Sequence, residues 1–174
     1  MKTARLLRFS AALVFAGAAC TAAQAATPIA CQSLTPTAIQ STITKMNTSL
    51  AQADIDFAQN GVSGAYAIAA KYNRDYIVLA RDLMVNLQTW LKTDGLDSPF
   101  VRNASASYNV YGYARDAVTD LHHARHWAAI SAVYHNSNAA RQSIELTTQA
   151  LNLLEPLSAQ ATRCYVDQYG PFTH

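Results

Sequence analysis

Thr35 to Gly64 reads TPTAIQSTITKMNTSLAQADIDFAQNGVSG. The architecture turns on whether this stretch is helix or strand. Its apolar residues recur at Ile39, Ile43, Met46, Leu50, Ala53 and Phe57, in alternating steps of four and three. That is the period of one helical face, not the strict alternation of a half-buried strand. Thr35 suits an N-cap, and Pro36 suits the first helical position, where its missing N–H is no loss. NGVSG, Asn60 to Gly64, supplies the stop.

Three more segments repeat the pattern. The second stripe is Ala65, Ala69, Tyr72, Tyr76, Leu79, Leu83, Leu87 and Trp90, ending at TDGLDSP, Thr93 to Pro99. The third helix is expected from about Phe100 to Tyr134, with Tyr111, Ala114, Val118, Leu121, Ala128 and Ala132 facing inward, and HNSN closes it at His135 to Asn138. The fourth carries Thr147, Leu151, Leu154, Ser158, Ala161 and Tyr165, and Pro156 is expected to kink it. No useful strand alternation appears. Short connections between long helices favour antiparallel neighbours, so the fold class is all-α, an up-down-up-down antiparallel four-helix bundle.

The chain opens MKTARLLRFSAALVFAGAACTAAQAA. Lys2, Arg5 and Arg8 precede a short apolar run, and Ala23-Gln24-Ala25 places small residues at the −3 and −1 positions of a cleavage site. This is the pattern of a secretory signal peptide over residues 1–25, too short in its apolar part to span a bilayer. Residues 26–174 then form a single helical-bundle domain, periplasmic or secreted, with no transmembrane helix in the mature chain. A rival reading is lipidation at Cys20 in FAGAAC, although Gly17 stands where a lipobox prefers a branched aliphatic residue. Cys31 and Cys164 remain. In an oxidising compartment an even pair is expected to bridge, and the bundle topology places both at one pole, so one disulfide near the termini should staple the fold.

Hydrophobic residues make up 51 % of the chain and charged residues 14 %, enough for a buried core and too apolar for a disordered tail. The net charge is +2, and the signal segment supplies more than all of it. No basic patch suggests nucleic acid. No nucleophile motif or Gly-rich phosphate loop is visible, so no enzyme is expected.

The chemistry-bearing stretch is DLHHARHW, Asp120 to Trp127. His122 and His126, at i and i+4, share a helix face and make a two-nitrogen candidate for zinc or copper, but no further ligand follows from the sequence. His123 lies towards Asp116 and Asp120. Asp120 and His123 form one Asp-x-x-His step, whereas di-metal carboxylate bundles need such a step twice plus further glutamates, and Glu145 and Glu155 are the only ones here. There is no C-x-x-C-H, which excludes c-type haem attachment, and Met46 and Met84 are the mature chain's only methionines for a b-type axial pair. Arg125 falls within the third stripe and needs a partner, for which Asp54 is the candidate. Tyr72 and Tyr76 should stand at the height of the histidines. The candidate ligand- or partner-binding set is therefore His122, His123, Arg125, His126, Asp116, Asp120, Tyr72 and Tyr76. With no complete metal set, no cofactor is expected. The preferred reading is an exported, non-enzymatic binding module of the cell envelope with a protein partner: an inhibitor, an immunity-type protein or an accessory protein. The alternative is a metal-, haem- or small-ligand-binding bundle built on His122, His126 and Arg125.

Overall fold

A computed structural model describes residues 34–94 and 104–170. They form four helices: α1 Pro36–Asn60, α2 Ala67–Asp94, α3 Ala104–Tyr134 and α4 Asn138–Tyr169, with no strand among the described residues. Each helix packs on its neighbours in chain order, α4 closes back on α1, and α1 barely touches α3 across the diagonal. Polar contacts fix the directions. Gln88 Nε2 donates to the Pro36 carbonyl at 2.9 Å near one pole, and Arg74 Nε donates to Asp54 Oδ1 at 2.7 Å near the other. Lys45 reaches Gln149, and His122 meets Glu155. The bundle is thus antiparallel around its square, as expected from the short connections.

The helix starts are chemical. Thr35 Oγ1 accepts the Ala38 N–H at 3.2 Å with Pro36 in the first turn, and buried Ser137 Oγ accepts the Ala140 N–H at 3.1 Å. These caps satisfy donors that the first turn leaves open. Gly61 ends α1 through a bond from its N–H to the Phe57 carbonyl, and a Cβ there would collide with the Phe57 ring and carbonyl oxygen. α4 continues through Pro156 without interruption in its assigned span. Phe100, at the expected start of α3, and Cys31 lie outside the described residues.

The stripes of α1, α3 and α4 bury in large part, with Ile39, Met46, Ala114, Leu121, Leu151 and Leu154 at 2 % exposure or less. Tyr111, Val118, Ser158 and Tyr165 are only half-buried, and Ala117, Ala124, Leu157 and Cys164 take buried positions beside them. The stripe of α2 is corrected. Its buried face is Ala69, Ala70, Asn73, Ile77, Ala80, Met84, Leu87, Gln88 and Leu91, while Leu79 is 51 % exposed and Tyr72, Tyr76 and Leu83 are half-buried. The helix is turned by about one position, so that Ile77, Met84 and Leu87 with three alanines face the core while Tyr72, Tyr76, Leu79 and Leu83 line an edge. A second correction concerns the end of α1. Asp56 is fully buried and Phe57 only partly so.

The core has two halves. Towards the pole holding Leu34 and Cys164 it is a cluster of large apolar residues that includes Met46, Met84 and Leu87. Towards the α1–α2 and α3–α4 turns it is small and polar. There Ser49 and Thr147 hydroxyls meet at 2.7 Å, and Ser49 Oγ donates to the Ser143 carbonyl at 3.2 Å. Ser143 Oγ donates to Asn73 Oδ1 at 3.2 Å, tying α2 to α4. Ser131 Oγ donates to Asp56 Oδ2 at 2.7 Å and Asn60 Nδ2 to Oδ1 at 2.9 Å, so the buried carboxylate links α1 to α3. Buried polar groups persist where they are paired in this way.

Candidate functional site

DLHHARHW occupies the exposed middle of α3, and its three histidines point apart. His122 leaves towards α4, where Nε2 stands 3.1 Å from Glu155 Oε1, and Arg125 Nη2 lies 3.3 Å from its Nδ1. His123 turns to α2 and stacks on Tyr76 with centroids 5.1 Å apart. His126 meets the edge of Trp127. All three are exposed. Among the described residues no group of three or more histidine, cysteine, aspartate or glutamate side chains is placed to hold a metal ion. Met46 and Met84, the axial candidates for haem, are fully buried in the core cluster.

Arg125 is half-buried and keeps to its own helix, while fully buried Ala124 takes the inward position. Asp54 pairs with Arg74 instead, across α1 and α2. The expected Arg125–Asp54 contact is therefore corrected: α1 and α3 sit on the diagonal of the square, and the adjacent α2 reaches Asp54 first.

The residues brought together lie along the α2–α3 edge. Tyr72 packs on Trp127 at 5.0 Å, and Tyr76 stands 6.2 Å from Tyr72. With the Tyr76–His123 pair they make a four-ring seam, continued by Tyr66 stacked on Tyr134 at 3.7 Å nearer the turns. Aromatic pairs of this kind add stability beyond the area they bury. In the other direction the seam opens into a groove lined by Leu79, Leu83, Asp116, Thr119 and Asp120. Ile68, Leu79 and Tyr66 are exposed at 49 %, 51 % and 47 % along this edge. Contiguous apolar and aromatic exposure of this sort marks interaction surfaces.

Charges grade along the edge. Asp75 takes Lys71 and Arg74, and Arg115 takes Asp116 at 2.8 Å. Asp120 is half-buried and, among the described residues, has no hydrogen bond or ion pair. Burial raises its pKa above the ordinary carboxylate value, nearby Asp116 raises it further, and His123 partly offsets this. The sequence placed Tyr72 and Tyr76 at the height of the histidines and His123 beside Asp116 and Asp120, but it set the tyrosines against His122 and His126, whereas His123 is the histidine that reaches Tyr76. It missed Trp127, Leu79 and Leu83 as lining, because those were taken as core or left aside.

No helix among the described residues is long and apolar enough to cross a membrane. Comparisons with protein-family models, with curated proteins and with solved structures find no match to this chain.

Proposed function

We propose that this chain is an exported helical-bundle module of the cell envelope that acts by binding a partner protein, with no chemistry of its own, through the α2–α3 edge. The observation that carries the reading is the half-buried ring seam of Tyr72, Tyr76 and Trp127 with exposed His123, flanked by exposed Tyr66, Ile68 and Leu79 and continuing into the groove at Leu79 and Leu83. The rings stand at the rim of the core while α2 buries Ala69, Ala70, Asn73, Ile77 and Ala80 beside them, which leaves part of each ring at the surface. Export is supported by the basic, apolar and small-residue order of residues 1–25. The Cys31–Cys164 bridge is supported by Leu34, three residues after Cys31, which is buried in the same core cluster as Cys164.

The test is a photo-crosslinking amino acid placed at position 76 or, as control, at exposed position 145 in producing cells. A discrete adduct from 76 and none from 145 is expected. Adducts from neither position sink the partner reading. Purified envelope protein with a visible absorption band or stoichiometric metal would replace it by the ligand-binding alternative. Intact mass should start the mature chain at Ala26; a diacylglyceryl mass on Cys20 would make it a lipoprotein.

A further inference from the structure

We infer that the groove between α2 and α3 receives a cationic side chain, a lysine or arginine of the partner protein, with Asp120 as its ion-pair acceptor and Asp116 beside it. This rests on the partner-surface reading and adds the partner's chemistry.

The groove, about 430 Å³, has two unlike walls. Leu79 and Leu83 of α2 form an apolar one, and Asp116, Thr119 and Asp120 of α3 form an acidic, hydroxylated one. That division matches a lysine or arginine, whose methylene stem packs on apolar surface while its head seeks charge. Phosphate or another anion meets two carboxylates here and is disfavoured. A purely apolar side chain leaves Asp120 covered and unpaired, which is costly.

Asp120 also differs from the other shielded carboxylates. Among the described residues, Asp56 has Ser131 and Asn60 as donors, and Asp75 has Lys71 and Arg74. Asp120, half-buried, has no hydrogen bond and no ion pair among the described residues, with His123 acting on it only through its charge. Arg115, one turn before Asp120 on α3, binds Asp116 through Oδ1, and Arg81 on α2 binds Asp82. The His123 ring stacks on Tyr76, and from there its charge only partly offsets the burial of Asp120. Burial holds the Asp120 carboxyl above its usual range, so an incoming cation would relieve a standing penalty rather than displace an existing partner.

The experiment titrates the ¹⁵N-labelled mature chain with N-acetyl-arginine, N-acetyl-lysine and N-acetyl-norleucine methylamides. Amide shifts confined to 79–83 and 116–120 are expected for the first two, with affinity roughly millimolar. The neutral norleucine probe should bind about fivefold more weakly or worse, and Asp120→Asn should weaken the arginine probe by a similar factor of about five or more. Glu145→Gln, at an exposed carboxylate of α4, should leave it unchanged. Equal binding of norleucine, an unaffected Asp120→Asn variant, or shifts away from the groove would overturn the inference. So would an Arg102→Ala variant that binds the probe several-fold more tightly, since this chain's own Arg102 would then be the occupant. Crosslinking at position 76 without cation preference in the groove leaves the partner surface standing and removes the cationic assignment. Groove binding of the cationic probes without any crosslinked partner supports the assignment and removes the partner reading.

Discussion

At the scale of single residues, two aspartates show how the same group serves different ends. Asp56 is fully buried and holds Ser131 and Asn60, so removing it orphans a buried hydroxyl. Asp56→Ala should cost about 2–3 kcal/mol in urea unfolding, whereas Asp54→Ala, which breaks an exposed pair with Arg74, should cost under about 1 kcal/mol. Similar costs for the two would mean that the buried link contributes nothing special. Asp120 runs the other way. Its folded-state pKa is raised by burial, so the folded chain prefers the protonated form and the charge opposes folding at neutral pH. Asp120→Asn should therefore raise the melting temperature at pH 7, and the gain should fade as pH drops below about 4, where the carboxyl is protonated in both states. A variant less stable than the parent at pH 7 would contradict this. A side chain that costs stability where it stands is a reasonable place to look for function.

At the scale of helices, the caps and stops were legible because they depend on neighbours within a few residues. Thr35-Pro36 and Asn60-Gly61 needed no tertiary context. Pro156 is a partial exception. Its missing N–H leaves the Asn152 carbonyl without a helical donor, but both residues lie on the exposed face of α4, where water can replace it. Pro156→Ala should raise stability by about 1–3 kcal/mol, less the entropy that proline removes from the unfolded chain. Chemical denaturation checks it, and a loss of stability would show the proline to be structurally required. The facing of α2 was not legible in the same way. Its apolar residues Tyr72, Tyr76, Leu79 and Leu83 repeat at helical spacing, and Ala69, Asn73, Ile77, Ala80 and Met84 do so one position away. Hydrophobicity favours the first set, and packing chose the second.

At the scale of the whole molecule, the antiparallel square brings Leu34 and Cys164 into one apolar cluster and gathers the polar layer near the two turns. If Cys31 and Cys164 bridge, replacing both with serine should lower stability by on the order of 4 kcal/mol with helix content kept, as circular dichroism and urea titration would read. Unchanged stability would mean the two ends are held by packing alone. The sequence by itself determined the helix count, the stops between helices and the antiparallel order, because period, capping and loop length are local properties. It also placed Tyr72 and Tyr76 at the height of the histidines, since antiparallel order sets height. Only the tertiary structure decided which face of α2 turned inward, that Asp56 rather than Phe57 entered the core, that Asp54 met Arg74, and that the three histidines parted towards different neighbours. Each of these is a rotation of a helix about its own axis, and that angle is set by what the neighbouring helices can accept, which no single segment encodes.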